Sequence, residues 1–100
     1  MKIRQTSRTG AILEELGHRV ERLRLKKNQT IASLADDAGV GTATLQRMEA
    51  GEAVNLRTLI RVLRALNRLS DLDHIVPDIE VSPFEISGPR GTPRQRASKG

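Results

Sequence analysis

Residues 29–51 read QTIASLADDAGVGTATLQRMEAG, and this stretch decides the fold. Thr30 is a helix N-cap residue opening a short apolar-periodic run, about Ile31–Ala38, with Leu34, Ala35 and Ala38 turned inward. Gly39 supplies the left-handed residue that ends a helix. A second run, about Thr42–Ala50, follows with Leu45 and Met48 inward, and Gly51 closes it. Two short helices joined by a tight turn make a helix–turn–helix unit, whose second helix suits the DNA major groove.

The flanks extend the helical pattern. Upstream, Thr9 is expected to cap a helix whose apolar positions Ile12, Leu13, Leu16, Val20 and Leu23 recur in steps of three and four. Glu14 and Glu15 in its early turns and Lys26 and Lys27 in its last suit the helix dipole, and Asn28 is its stop. Downstream, Asn55 caps a longer helix with an apolar stripe of Leu56, Leu59, Ile60, Leu63 and Leu66. Arg57, Arg61, Arg64 and Arg68 lie on another face. Ser70, Asp71 and Asp73 open a short fifth helix ending before Pro77. The expected fold is all-α, five helices, with an extended C-terminal segment that forms at most one strand. A basic arm occupies residues 1–9, the helical DNA-binding domain 10–76, and an extended segment and basic tail 77–100. Ile79 and Val81, then Phe84 and Ile86 beyond Pro83, give that segment its apolar side. A single strand needs a partner. The closing SGPRGTPRQRASKG is rich in Gly, Pro and Ser and reads as disordered in isolation.

Composition narrows the chemistry. The 100 residues contain no cysteine and one aromatic, Phe84. A disulfide scaffold, a thiolate metal site and an aromatic platform for stacking single-stranded bases are all disfavoured. No apolar run approaches the roughly 18 residues of a membrane span, and the N-terminus lacks a signal-peptide core, so a cytoplasmic protein without membrane contact is expected. His18 and His74 sit on different helices without a ligand cluster, and the paired acids read as solvated faces. No metal, cofactor or catalytic residue is expected, and the chain does not read as an enzyme.

The net charge of +5 points to a polyanionic partner. The charge is unevenly placed. Residues 1–27 carry eight Lys/Arg against three Glu, whereas residues 28–54 carry only Arg47 against Asp36, Asp37, Glu49 and Glu52. Residues 55–76 carry four Arg against two Asp. The positive charge flanks the two short helices instead of filling them.

Three stretches in register carry a family resemblance. LGHRVERLRLKKNQTIASLA, GVGTATLQRMEAG and NLRTLIRVLRALN resemble the Xre/Cro-type, phage-repressor-like helix–turn–helix regulators over roughly Leu16–Leu69. The resemblance implies a structural ion pair between Arg24 and Glu49. It implies base readers at Thr42, Ala43, Gln46 and Arg47, of which Arg47 suits guanine and Gln46 adenine. It implies phosphate contacts from Gln29, Thr30, Thr44, Asn55 and Arg57, around helix N-termini where free N–H groups meet an anion. Ile31 departs from the pattern, since many relatives carry Gln there and Ile cannot bond a phosphate.

The implied partners are a double-stranded DNA operator and a second copy of the chain. One headpiece buries little surface, so two-fold pairing on a pseudo-palindrome is the usual solution. The expected dimer or partner surface comprises Leu66, Leu69, Leu72, Ile75, Val76, Ile79, Val81 and Phe84. The tail SPFEISGPRGTPRQRASKG resembles that of antitoxins that partner Hip-type kinase toxins. Restriction-modification controllers and prophage repressors are the alternatives within the class. A protein-interaction adaptor without DNA reading is the alternative outside it.

Overall fold

The computed structural model describes residues 1–81. Four α-helices follow in order, α1 (Thr9–Lys26), α2 (Ile31–Ala38), α3 (Thr42–Glu49) and α4 (Leu56–Ala65), and a 3₁₀ segment (Leu69–His74) completes the helical body. The fold is all-α, with no strand among the described residues. Residues 78–81 have no regular structure. The Phe84 and Ile86 side of the expected strand, and the basic tail, lie outside the described residues.

Local chemistry explains the boundaries. Thr30 Oγ1 accepts from the Ser33 N–H at 3.0 Å and Asn55 Oδ1 from the Thr58 N–H at 2.8 Å, so α2 and α4 open on side-chain caps. Gly39 takes φ 70° to end α2, and Gly51 takes φ 94° beyond α3. The longer helices stop at asparagines instead: Asn28 has φ 57° after α1 and Asn67 has φ 60° after α4. Asparagine tolerates the left-handed region better than most residues with a β-carbon. Lys27 Nζ donates to the Ala65 carbonyl at 3.2 Å, satisfying a last-turn acceptor of α4.

The core sits where α2 meets α3 and α4, with α1 laid across α3. Leu34, Leu45 and Val62 are its largest fully buried side chains, joined by Val20, Ala35, Ala38, Met48 and Leu66. Three expectations change. Thr9 lies inside α1, and the cap position is Arg8, which makes no side-chain cap bond. Leu16 and Leu56 are exposed, whereas Val62, absent from the expected α4 stripe, is fully buried. The α4 stripe turns by part of a step because its inner face must meet α2, which places Val62 and Leu66 inward and swings Leu56 out. The fifth helix is a 3₁₀ segment with no buried residue.

Glu15 is buried although it is charged and lies outside the expected apolar stripe of α1. Its carboxylate meets the Met1 ammonium at 2.9 Å, Arg19 Nε at 2.9 Å and Arg22 Nη2 at 3.4 Å. Arg19 also donates to the Met1 carbonyl at 2.9 Å, which ties the N-terminal arm to α1. Hydrogen bonds from the terminal ammonium, then from Arg19, lower the Glu15 pKa to about 2. The folded state thus binds fewer protons than the unfolded chain between the ordinary value of 4.5 and about 2. This contribution to stability is complete above pH 4.5 and is lost as pH falls through 2. Urea midpoints measured across that window should fall with acid in the natural chain and fall less steeply in Glu15→Gln. Parallel curves would show that the carboxylate is already solvated in the folded state.

Candidate nucleic-acid interface

Helix α3 has two chemically distinct sides. Leu45 and Met48 are buried against the body, whereas Thr42, Ala43, Gln46 and Arg47 are exposed. The spacing of those four residues places them on one face of a helix. Arg47 lies 3.5 Å from Thr44 Oγ1 through Nη2, a long contact that leaves the guanidinium donors available. Thr44 itself is half-buried.

The inner side is held by charge. Arg24 on α1 donates from Nε to Glu49 Oε2 at 2.8 Å and from Nη2 to Oε1 at 3.0 Å. Its Nη1 donates to the Gln29 carbonyl at 2.9 Å. The two side chains are 10% and 8% exposed, so this bidentate pair is largely withdrawn from water. The Glu49 hydrogen bond raises the Arg24 pKa above its ordinary value, against the opposing effect of burial. One guanidinium thereby joins α1, the end of α3 and the loop that enters α2. Because Glu49 faces Arg24, it does not add negative charge to the exposed face of α3.

A second close approach sets the spacing of the same helices. Gly17 is buried in α1, and a β-carbon there would meet the Met48 and Glu49 carbonyl oxygens at 2.5 and 2.7 Å. Only glycine lets α1 lie this close to the end of α3.

Two helix N-termini, those of α2 and α4, carry side-chain caps. The Thr30 and Asn55 caps each satisfy one N–H of a first turn, and a helix leaves several such groups without intrahelical partners. Arg57 is exposed in the first turn of α4. Gln29 is differently placed. Its Nε2 donates to Asp37 Oδ2 at 2.7 Å and to Ser33 Oγ at 3.3 Å, and its Oε1 is buried without a partner. Its side chain is spent along α2 instead of being offered to solvent. Arg61 reaches back to the turn, donating from Nη1 to the Gly39 carbonyl at 3.4 Å.

A family model for the helix-turn-helix domain matches residues 15–74, more than half of the chain. The chain belongs to the helix-turn-helix domain family. Among curated proteins, none matches it. The matched span of the helix-turn-helix domain begins at Glu15 and ends at His74, so it holds the Arg24–Glu49 pair, all of α3 and the 3₁₀ segment. Family membership supports a DNA-binding regulator. No group of three or more His, Asp or Glu side chains within metal-binding reach occurs among the described residues. No helix among them is long and apolar enough to cross a membrane.

The surface expected to pair with a partner is divided by the structure. Leu66 is 4% exposed and belongs to the monomer core of the helix-turn-helix domain, so it is not available to a second chain. Leu69 and Leu72 are half-buried, while Ile75, Val76, Ile79 and Val81 are exposed. Phe84 lies outside the described residues. Reasoning from sequence missed Gly17, Val62 and the Glu15 cluster. Only the Glu15–Arg19 spacing of four was a readable signal.

Proposed function

We propose that this helix-turn-helix protein is a sequence-specific repressor that binds double-stranded DNA as a homodimer, with α3 in the major groove. The observation that carries the reading is the α3 face itself. Thr42, Ala43, Gln46 and Arg47 are exposed together, on a helix whose other side is fixed by Leu45, Met48 and the Arg24–Glu49 pair. Arg47 is assigned to guanine O6 and N7 and Gln46 to adenine, with Ala43 and the Thr42 methyl against thymine methyls. Thr30, Thr44, Asn55 and Arg57 are assigned to phosphates. Gln29 is left out of this set, since its side-chain amide donates to Asp37 and its backbone N–H to the Arg24 carbonyl at 3.1 Å.

Arg47→Ala tests the assignment. Specific binding should weaken by about 1–3 kcal/mol, with the preference at one base position relaxed. Binding to cognate and scrambled duplexes, compared at fixed salt, separates the roles. An equal loss on both duplexes would make Arg47 a phosphate contact.

The homodimer is supported by the exposed apolar residues Ile75, Val76, Ile79 and Val81, which one copy leaves in water. Two-fold pairing would address half-sites about 10 bp, or roughly 34 Å, apart. Light scattering at micromolar concentration reads the state directly, and a mass of 11.0 kDa for the free protein, with a single protomer per duplex when DNA is added, would remove the dimer. Within the regulator class, we favour an autoregulating antitoxin that also binds a kinase-like toxin, on the resemblance of the C-terminal tail. Purification of the native complex from the source cell, with both protein and DNA identified, decides among antitoxin, restriction-modification controller and prophage repressor. The adaptor alternative rests on the acidic balance of residues 28–54 and on Ile31. Glu49, one of its four acids, is paired inward with Arg24, so that support is reduced.

A further inference from the structure

On the side of the molecule formed by α1, α4 and the 3₁₀ segment lies a groove of about 570 Å³. Leu23, Leu59, Leu63 and Ile75 line it. Its charged lining is one-sided: Arg19, Arg22, Lys26 and Arg68 against Asp71. Arg19 and Arg22 share the Glu15 carboxylate and Arg68 is paired with Asp71 at 3.0 Å, whereas Lys26 has no salt-bridge partner among the described residues. None of the residues assigned above to DNA lines this groove.

The same chain carries a segment of complementary chemistry. Residues 78–86 read DIEVSPFEI, with Asp78, Glu80 and Glu85 set among Ile79, Val81, Phe84 and Ile86, and with no cation. It is the only part of the chain that offers an aromatic side chain, and burying one removes about 150–250 Å² from water. The described start of the segment does not lie in the groove. Val76 and Ile79 are 76% and 71% exposed, so the chain leaves the body after Ile75.

We propose that the groove of one protomer receives residues 78–86 of a second copy, and that the exchange is reciprocal. This rests on the homodimer reading and names its interface. Apolar side chains of the segment enter between Leu59 and Leu63, and its carboxylates meet the cationic rim. A reciprocal exchange is isologous and closes at two chains. It leaves both α3 faces open to DNA.

Charge reversal on each side, in the full chain, tests the exchange. One variant carries Lys26→Glu and Arg68→Glu in the rim; the other carries Glu80→Lys and Glu85→Lys in the segment. Circular dichroism first establishes that each is folded, and a variant with reduced helix content is replaced by Lys26→Glu or Glu80→Lys alone. By light scattering, the natural chain should be a dimer, and each variant should dimerise more than about a hundredfold more weakly, because like charges face each other. An equimolar mixture of the two variants should be dimeric again, because both exchanged contacts are then complementary. If the natural chain is dimeric and either variant remains as tightly dimeric, the groove is not the interface, and the homodimer reading stands without it. If the variants are monomeric and their mixture stays monomeric, the segment is not exchanged. A monomeric natural chain removes both readings.

Discussion

Replacing Glu49 by alanine should cost about 3–5 kcal/mol, the penalty for leaving a withdrawn charge without its partner. Arg24 would keep its bond to the Gln29 carbonyl but lose both bonds to the Glu49 carboxylate. Small domains have only about 5–15 kcal/mol in all, and a core whose largest fully buried side chains are Leu34, Leu45 and Val62 belongs near the lower end. A large share of Glu49→Ala molecules should then be unfolded at 37 °C, and the urea midpoint should fall sharply with little change in slope. Glu49→Gln retains one acceptor and should lie between. The informative variant is the double replacement Arg24→Met with Glu49→Leu, which removes both charges. If the cost of the single change is an orphaned guanidinium, the double variant should recover most of it. A Glu49→Ala midpoint close to that of the natural chain would mean that water reaches Arg24 freely. The same pair also bears on DNA binding, since it fixes where α3 ends against α1. Folded Arg24→Met/Glu49→Leu should still recognise its operator if apolar packing restores that spacing.

How much of this was legible in the sequence depends on the kind of signal. The bounds of α2 follow from Thr30 and Gly39, because capping and left-handed φ are requirements of single residues. Asn28 was readable as a stop for the same reason. Asn67 carries the same signal, but it lies between two helical patterns and was passed over. The exposed face of α3 was legible as the complement of Leu45 and Met48. Apolar spacing was less reliable on α4, where Leu56, Leu59, Ile60, Val62, Leu63 and Leu66 offer several overlapping stripes. Only the position of α2 selects Val62 and Leu66. The Glu15 cluster depends on the arm returning to α1, which no local pattern encodes. The paucity of positive charge in residues 28–54 is partly resolved by partners outside that window. Glu49 is taken by Arg24 of α1, and the turn at Gly39 is reached by Arg61 of α4.

Gly17 and Gly10 lie on the same helix, and the same substitution should move them in opposite directions. Alanine exceeds glycine by about 0.8–1.0 kcal/mol in a helix interior, so propensity alone favours Gly17→Ala. Packing opposes it. The new β-carbon would stand 2.5 Å from the Met48 carbonyl oxygen and 2.7 Å from that of Glu49, and neither is the movable end of a side chain. Relief requires α1 and α3 to separate by several tenths of an ångström at least, in a region also tied by Arg24 and Glu49. Overfilling of a packed contact costs about 1–3 kcal/mol and sometimes more, which exceeds the propensity gain. Gly17→Ala should therefore lower the melting temperature by roughly 4–8 °C for each kcal/mol of net loss in a domain of this size. At Gly10 nothing lies within 4 Å of the added atom, so Gly10→Ala should leave the melting temperature unchanged or raise it. Because the displaced element is α3, the helix proposed to enter the major groove, Gly17→Ala should also weaken specific DNA binding at temperatures where the variant is fully folded. Gly10→Ala should not. If Gly17→Ala instead melts higher, helix propensity has outweighed the contact, and α1 stands farther from the end of α3 than these distances require.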